Sequence, residues 1–215
     1  MSDAPEREGP YNTFAGTSIH RLNSISDGIF AVGMTLLVLG LAVPAASAVN
    51  TESDLWHELQ NLMPSVVTYF MSFLTLGIFW VGQQTQLNAA ERTNRNYTWI
   101  HLGFLLSVTL VPFTTLLLAR FHWSRIALVV YWLNIVLMGF GLLIGTEYGL
   151  RRGLFRESMR ETIKRVVRKR VYGAQVLYLV AVLLGVLDTH LAIGGIVAIQ
   201  PNFALAPGIP LLRDL

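Results

Sequence analysis

Arg21-Leu22-Asn23-Ser24-Ile25-Ser26-Asp27-Gly28-Ile29-Phe30-Ala31-Val32-Gly33-Met34-Thr35-Leu36-Leu37-Val38-Leu39-Gly40-Leu41-Ala42-Val43 is the stretch that decides how this chain is read. Its polar head gives way to a run without charge that lasts until Glu52. About 20 mostly apolar residues suffice to cross a bilayer. Asp27 stands where the run begins, and a carboxylate at the edge of a hydrocarbon slab is costly unless it is paired or faces water. The apolar part also carries Gly28, Gly33, Thr35 and Gly40 among its Leu and Val. A segment that only anchors has no need of them. The stretch therefore predicts a helix that lines something, held in place by Arg21, Ser26 and Asp27. Val32, Thr35, Leu36, Leu39 and Val43 recur at i, i+3, i+4, i+7 and i+11 and share one helical face. Alone, such a stripe is ordinary core more often than it is a pore wall.

Composition agrees with a membrane setting. Of 215 residues, 53% are hydrophobic and 13% charged, with mean hydropathy +0.51, whereas soluble domains carry about 25% charged residues. An all-α integral membrane protein is the expected class. The formal net charge of +3 is too small to point to nucleic acid. The absence of cysteine excludes disulfide and thiolate chemistry. Residues 1–20 are polar, contain Pro5, Gly9 and Pro10, and lack an apolar core. They read as a disordered cytoplasmic tail and not as a signal peptide, leaving 21–215 as one transmembrane domain.

Six spans are expected, near Ile25–Val43, Leu62–Val81, Trp99–Ala119, Ile126–Thr146, Tyr172–Leu187 and Leu191–Ala206. The last is weakened by Gly194, Gly195, Gln200 and Pro201, although proline is tolerated in membrane helices whose neighbours satisfy the freed carbonyl. Loop charge sets orientation. The loop before the fifth span holds Arg151, Arg152, Arg156, Arg160, Lys164, Arg165, Arg168, Lys169 and Arg170, nine of the sixteen basic residues. Arg7, Arg21, Arg92, Arg95 and Arg213 fall on the same side, and only Arg120 and Arg125 lie opposite. Glu52, Asp54, Glu58 and Asp188 occupy that opposite side. Both termini are thus expected in the cytoplasm, which requires an even number of spans. Within 151–170, Phe155, Met159, Ile163 and Val166 or Val167 repeat at helical spacing. That pattern suits a helix along anionic headgroups, or a plain topology signal.

No enzyme signature is present: no HExxH, no GxSxG, no phosphate loop, no Cys/His cluster. No cofactor is implied. Four of the five histidines, His20, His57, His122 and His190, fall in tails or loops. His101 opens the third span, at the depth of Asp27, and reads either as an interfacial residue or as a partner for that carboxylate. Trp80 lies at the same depth, as an interfacial aromatic or as an indole donor to Asp27. Gly141, Gly145 and Gly149 form a small-residue stripe suited to close helix packing.

The pattern Arg21-x-x-x-Ile25-Ser26-Asp27-Gly28-x-Phe30-Ala31, followed by Thr35-Leu36-Leu37-Val38-Leu39, resembles the start of the transmembrane protein 175 family of potassium channels. Gly77-Ile78-Phe79-Trp80-Val81-Gly82, His101-Leu102 and Val111-Pro112-Phe113-Thr114 look similar too. The likeness covers residues 21–150 well and the rest by hydropathy. Ile25 replaces the family's Phe, Gln83-Gln84 stand where bacterial relatives often have His-His, and Val32 stands where Ile or Leu is usual. The resemblance implies a six-helix protomer and a homotetramer whose first helices line a pore permeable to potassium ions. Such a pore lacks the Thr-Val-Gly-Tyr-Gly carbonyl filter, and so does this chain. Carried over by position, the constriction is Val32, Leu36 and Leu39, the selectivity ring is Thr35, and the structural lock is Arg21, Ser26 and Asp27 with Trp80 and His101. A weakly to moderately potassium-selective leak channel in a bacterial plasma membrane is the implied function. A proton-coupled transporter with Asp27 as its relay is the alternative. Against it, no other acid lies deep in a span and no internal repeat is visible.

Overall fold

A computed structural model describes residues 18–204. The expected tail therefore lies almost wholly outside the described residues, as do Arg213 and the end of the sixth expected span. All the regular structure among the described residues is helical, apart from one isolated antiparallel bridge between Ala90 and Phe155.

The first helix, α1 (Ile19–Leu37), begins six residues before the expected span, where the Ser18 hydroxyl accepts from the Arg21 backbone N–H. Ser is a favoured residue for this capping role. The helix tightens into a 3-10 turn at Val38–Gly40 and the chain then runs extended, so Val43 is off the helix and the expected stripe stops at Leu39. A short helix α2 (Glu52–Asn61) follows within the expected loop. Its start is a capping box: the Thr51 hydroxyl accepts from the Asp54 N–H while the Asp54 carboxylate accepts from the Thr51 N–H. Helix α3 (Met63–Ala89) has Pro64 in its first turn, where a missing N–H costs nothing.

The third expected span is two helices, α4 (Arg95–Thr109) and α5 (Val111–Arg120), joined at Leu110. Pro112 explains the break, because it has no N–H to continue the ladder. Helix α6 (Arg125–Arg151) ends before Gly153, whose φ of 62° is the left-handed turn that glycine allows. The chain then crosses beneath α3, with the Glu91 N–H donating to Leu154 O and the Arg156 N–H to Ala89 O. Helix α7 (Arg160–Leu184) takes in most of the basic segment, and α8 (Thr189–Ala204) carries Pro201.

Four of these units are long and apolar enough to cross a membrane: Ile19–Gly40, Met63–Ala89, Arg95–Arg120 and Arg125–Arg151. The two remaining expected spans do not reach that standard. Helix α7 joins a basic half to an apolar half, and the described part of α8 is 16 residues long. The basic segment is not a separate surface helix either. Ile163, Val167 and Val171 are buried, so its apolar stripe faces the protein core. Helix α6 packs on α4 and α7, α7 on α8, and α1 against α3, α4 and α5.

The Gly141, Gly145 and Gly149 stripe is a packing device. A Cβ at Gly141 would stand 2.9 Å from Phe104 Cβ, at Gly145 2.9 Å from the Gln86 amide nitrogen, and at Gly149 2.6 Å from the Phe155 ring. A side chain at Gly141 would push α4 away from α6, while at Gly145 and Gly149 the Gln86 amide and the Phe155 ring would have to give way. Deeper in the bundle the Thr115 hydroxyl donates to Ser72 (2.7 Å) and Ser72 to the Tyr131 hydroxyl (3.2 Å). The Gln200 amide donates to Thr75 Oγ1 and Met71 O, both at 2.8 Å. This polar knot ties α8 to α3.

Candidate functional site

Helix α1 has two unlike faces. Leu22, Ser26, Phe30, Gly33 and Leu37 are buried against the bundle. On the other side Val32 is 57% exposed, Leu36 45% and Leu39 75%, and Thr35 is exposed among them. Nothing charged lies on this face from Gly28 to Gly40. Apolar surface left open on a helix so tightly packed elsewhere is a surface awaiting a partner or lipid. The Thr35 hydroxyl donates to the Val32 carbonyl at 2.9 Å. Its proton is thereby directed into the helix, and the oxygen keeps its acceptor lone pairs.

Behind the head of this face lies a polar cluster. Ser26 is fully buried; its hydroxyl donates to Leu22 O at 2.7 Å and accepts from the Gln83 amide at 2.8 Å. At the next residue, Asp27 Oδ1 accepts from the Trp80 indole N–H at 2.8 Å and from the Gln84 amide at 2.7 Å. Adjacent acceptors on α1 thus meet adjacent amides on α3. Hydrogen bonds to a charged oxygen are the stronger kind, and two of them fix both the height and the rotation of α1 against α3.

The structure does not bring every expected member together. His101 is not a partner of Asp27. Its ring is 2% exposed, its Nδ1 lies 3.2 Å from Tyr97 O, and its Cε1 lies 3.4 Å from where a Gly145 Cβ would be. It faces α6, away from α1. Arg21 is exposed, and among the described residues its guanidinium makes no hydrogen bond or ion pair; its backbone N–H serves the Ser18 cap. Gln83 and Gln84, noted in the sequence only as a departure from a family pattern, are instead principal donors. The signal available was depth: two adjacent amides near the inner end of one span, level with two adjacent acceptors near the inner end of another.

Beside the cluster a cavity of about 620 Å³ opens between α1, α3 and α8, lined mostly by apolar side chains such as Met34, Phe73 and Ile78, with Asp27 and Arg170 also on its wall. Among the described residues no group of three or more His, Asp or Glu side chains is placed to hold a metal ion.

Comparison with known proteins follows the same residues. The family described as endosomal/lysosomal potassium channel TMEM175 matches residues 21–112, which hold the whole cluster. A protein of Chamaesiphon minutus named as a potassium channel is 31% identical over 211 residues, covering 95% of this chain and 98% of that protein. One of Streptomyces collinus, also named as a potassium channel, is 36% identical over 122 residues, 55% of this chain; the match spans 58% of that relative's length. The crystal structure of a lysosomal potassium-selective channel TMEM175 homolog from Chamaesiphon minutus superposes with TM-score 0.76 at 27% identity, covering 87% of this chain and 96% of that one.

Proposed function

The chain belongs to the TMEM175 family, whose members are ion channels and not enzymes, and from that premise we propose that four copies assemble into a potassium-permeable leak channel lined by α1. The observation that carries this reading is the uncovered apolar face of Val32, Leu36 and Leu39, opposite a face of the same helix that is buried. One helix face cannot enclose an ion path. Identical faces around a symmetry axis can, and closed cyclic homo-oligomers are the usual arrangement.

Four such faces make a narrow apolar throat, and hydrophobic constrictions gate by resisting wetting. Val32 is smaller than the Ile or Leu usual at its position in the family, which favours leak. Thr35 supplies the one polar ring in the throat. Its oxygen, with the proton already given to Val32 O, offers lone pairs to a cation and gives a weak to moderate preference for potassium over sodium. Ser26 and Asp27, held by Gln83, Trp80 and Gln84, keep α1 upright. In this lock the Gln83 and Gln84 amides, with Trp80, take the partner role expected of His101. Helices α7 and α8 serve as the fifth and sixth spans. The basic half of α7 then lies among anionic headgroups at the cytoplasmic face, as do both termini.

The test is ion flux from proteoliposomes. Val32→Ser and Leu39→Ala should each raise basal potassium flux, the first by easing wetting and the second by widening the mouth. Flux identical to the parent in both variants removes the constriction from this face.

A further inference from the structure

We propose that His122 and His190 form a binding site for a divalent transition-metal ion of the Zn2+ class, at the end of the molecule where α5 turns into α6 and α7 into α8. One imidazole ring comes from the α5–α6 turn and the other from the first turn of α8, 68 positions on, with centroids 5.1 Å apart and planes inclined at 48°. That spacing suits a shared ion. With a metal–nitrogen distance of about 2.1 Å, each ring centroid lies roughly 3.2 Å from the metal, and a tetrahedral angle then separates the centroids by about 5.2 Å.

Two hydrogen bonds hold the connections in this register. The buried Thr189 donates its hydroxyl to Trp123 O at 3.3 Å, and the Arg125 guanidinium donates to Val186 O at 2.8 Å. Each His is thus one residue from a cross-link. A second observation points to a ligand: His122 Nδ1 is buried and has no hydrogen-bond partner among the described residues. Buried polar atoms are ordinarily satisfied, and imidazole nitrogen is the commonest metal ligand. The Asp188 carboxylate, which accepts the His190 backbone N–H at 2.6 Å, adds negative charge nearby. Among the described residues no third protein ligand is in place, so water completes the shell. An ion bound there would clamp the α5–α6 turn to the α7–α8 turn.

The test uses tag-free protein stripped with EDTA, in which five histidines are the only imidazoles. Zn2+ should raise the melting temperature by a few degrees where equimolar Mg2+ does not, since Mg2+ prefers an all-oxygen shell. Cu2+ bound to the same protein should show coupling to two nitrogens by electron paramagnetic resonance. His122→Gln and His190→Gln should each abolish the Zn2+ shift and weaken binding at least tenfold, and His57→Gln should change neither. Should the half-buried His122 variant misfold, the exposed His190 variant decides alone. The absence of a Zn2+ shift in the parent, or its persistence in His190→Gln, overturns the proposal. None of these readouts depends on ion conduction.

Discussion

Ser26 and Asp27 adjoin in sequence and divide one task. Ser26 is fully buried and sits between Leu22 O and the Gln83 amide. Ser26→Ala leaves that amide without its acceptor, and a lost interhelical hydrogen bond inside a membrane costs about 1 kcal/mol. A small drop in thermal stability, with assembly retained, is the expected result. Asp27 meets neutral donors and no cation among the described residues, so the large cost of splitting a buried ion pair does not apply. Asp27→Ala strands the Trp80 indole and the Gln84 amide together, while Asp27→Asn keeps an oxygen to receive them. Size-exclusion chromatography in mild detergent should show assembly falling in the order parent, Asn variant, Ala variant. An Ala variant that assembles normally but conducts differently would move Asp27 from support to ion path. Depth along the helices was legible in the sequence and placed Trp80 at the height of Asp27. Rotation about the helix axis was not, which is why His101, at a matching depth, points at α6 instead.

At the scale of elements, the glycines of α6 and α4 offer a paired test. A Cβ at Gly141 meets Phe104 side chain at 2.9 Å and its backbone Cα at 3.2 Å, whereas one at Gly103 meets nothing within 4 Å. Overpacking of a formed core costs about 1–3 kcal/mol. Gly141→Ala should therefore lower the melting temperature and Gly103→Ala should hold or raise it, as measured by unfolding in detergent. Equal effects would mean that α4 and α6 are not in this close contact. Helix α2 offers a second test. The Thr51 hydroxyl and the Asn50 and Thr51 backbone amides hold the Asp54 carboxyl below its usual 3.8. The box thus contributes fully above pH 3.8 and is lost only as pH falls through the lower folded value. Thr51→Ala should cost about 1 kcal/mol of local helix stability, seen as faster amide exchange over residues 52–61. The spans around α3 and α6 were legible because long apolar runs leave little choice. The cap of α2 was written in Thr51-x-x-Asp54, but charge masked it as a loop. The break at Leu110 was written in Pro112, and the apolar face of α7 was hidden by the arginines interleaved with it.

The whole molecule is asymmetric in charge, and that asymmetry makes the topology testable. In the proposed topology fourteen basic residues of the sequence fall on the cytoplasmic side and two on the other. The native chain has no cysteine, so single introduced thiols report cleanly. Cysteine in place of the exposed Ser53 should be labelled from outside by an impermeant reagent, and cysteine in place of the exposed Ser158 should not. The reverse pattern would invert the orientation.

The same cysteine-free background allows the most direct test of the central claim, that the open face of α1 meets its own copies around an ion path. Cysteines are placed one at a time at Val32 and Thr35 on the open face and at Leu37 on the buried face. Potassium flux from proteoliposomes is then measured before and after adding Ag+, with an oxidised sample run on a non-reducing gel. The account predicts that Ag+ blocks flux through the Val32→Cys and Thr35→Cys proteins, that both form disulfide-linked dimers, and that Leu37→Cys does neither. Undiminished flux and monomeric bands at positions 32 and 35 would contradict it.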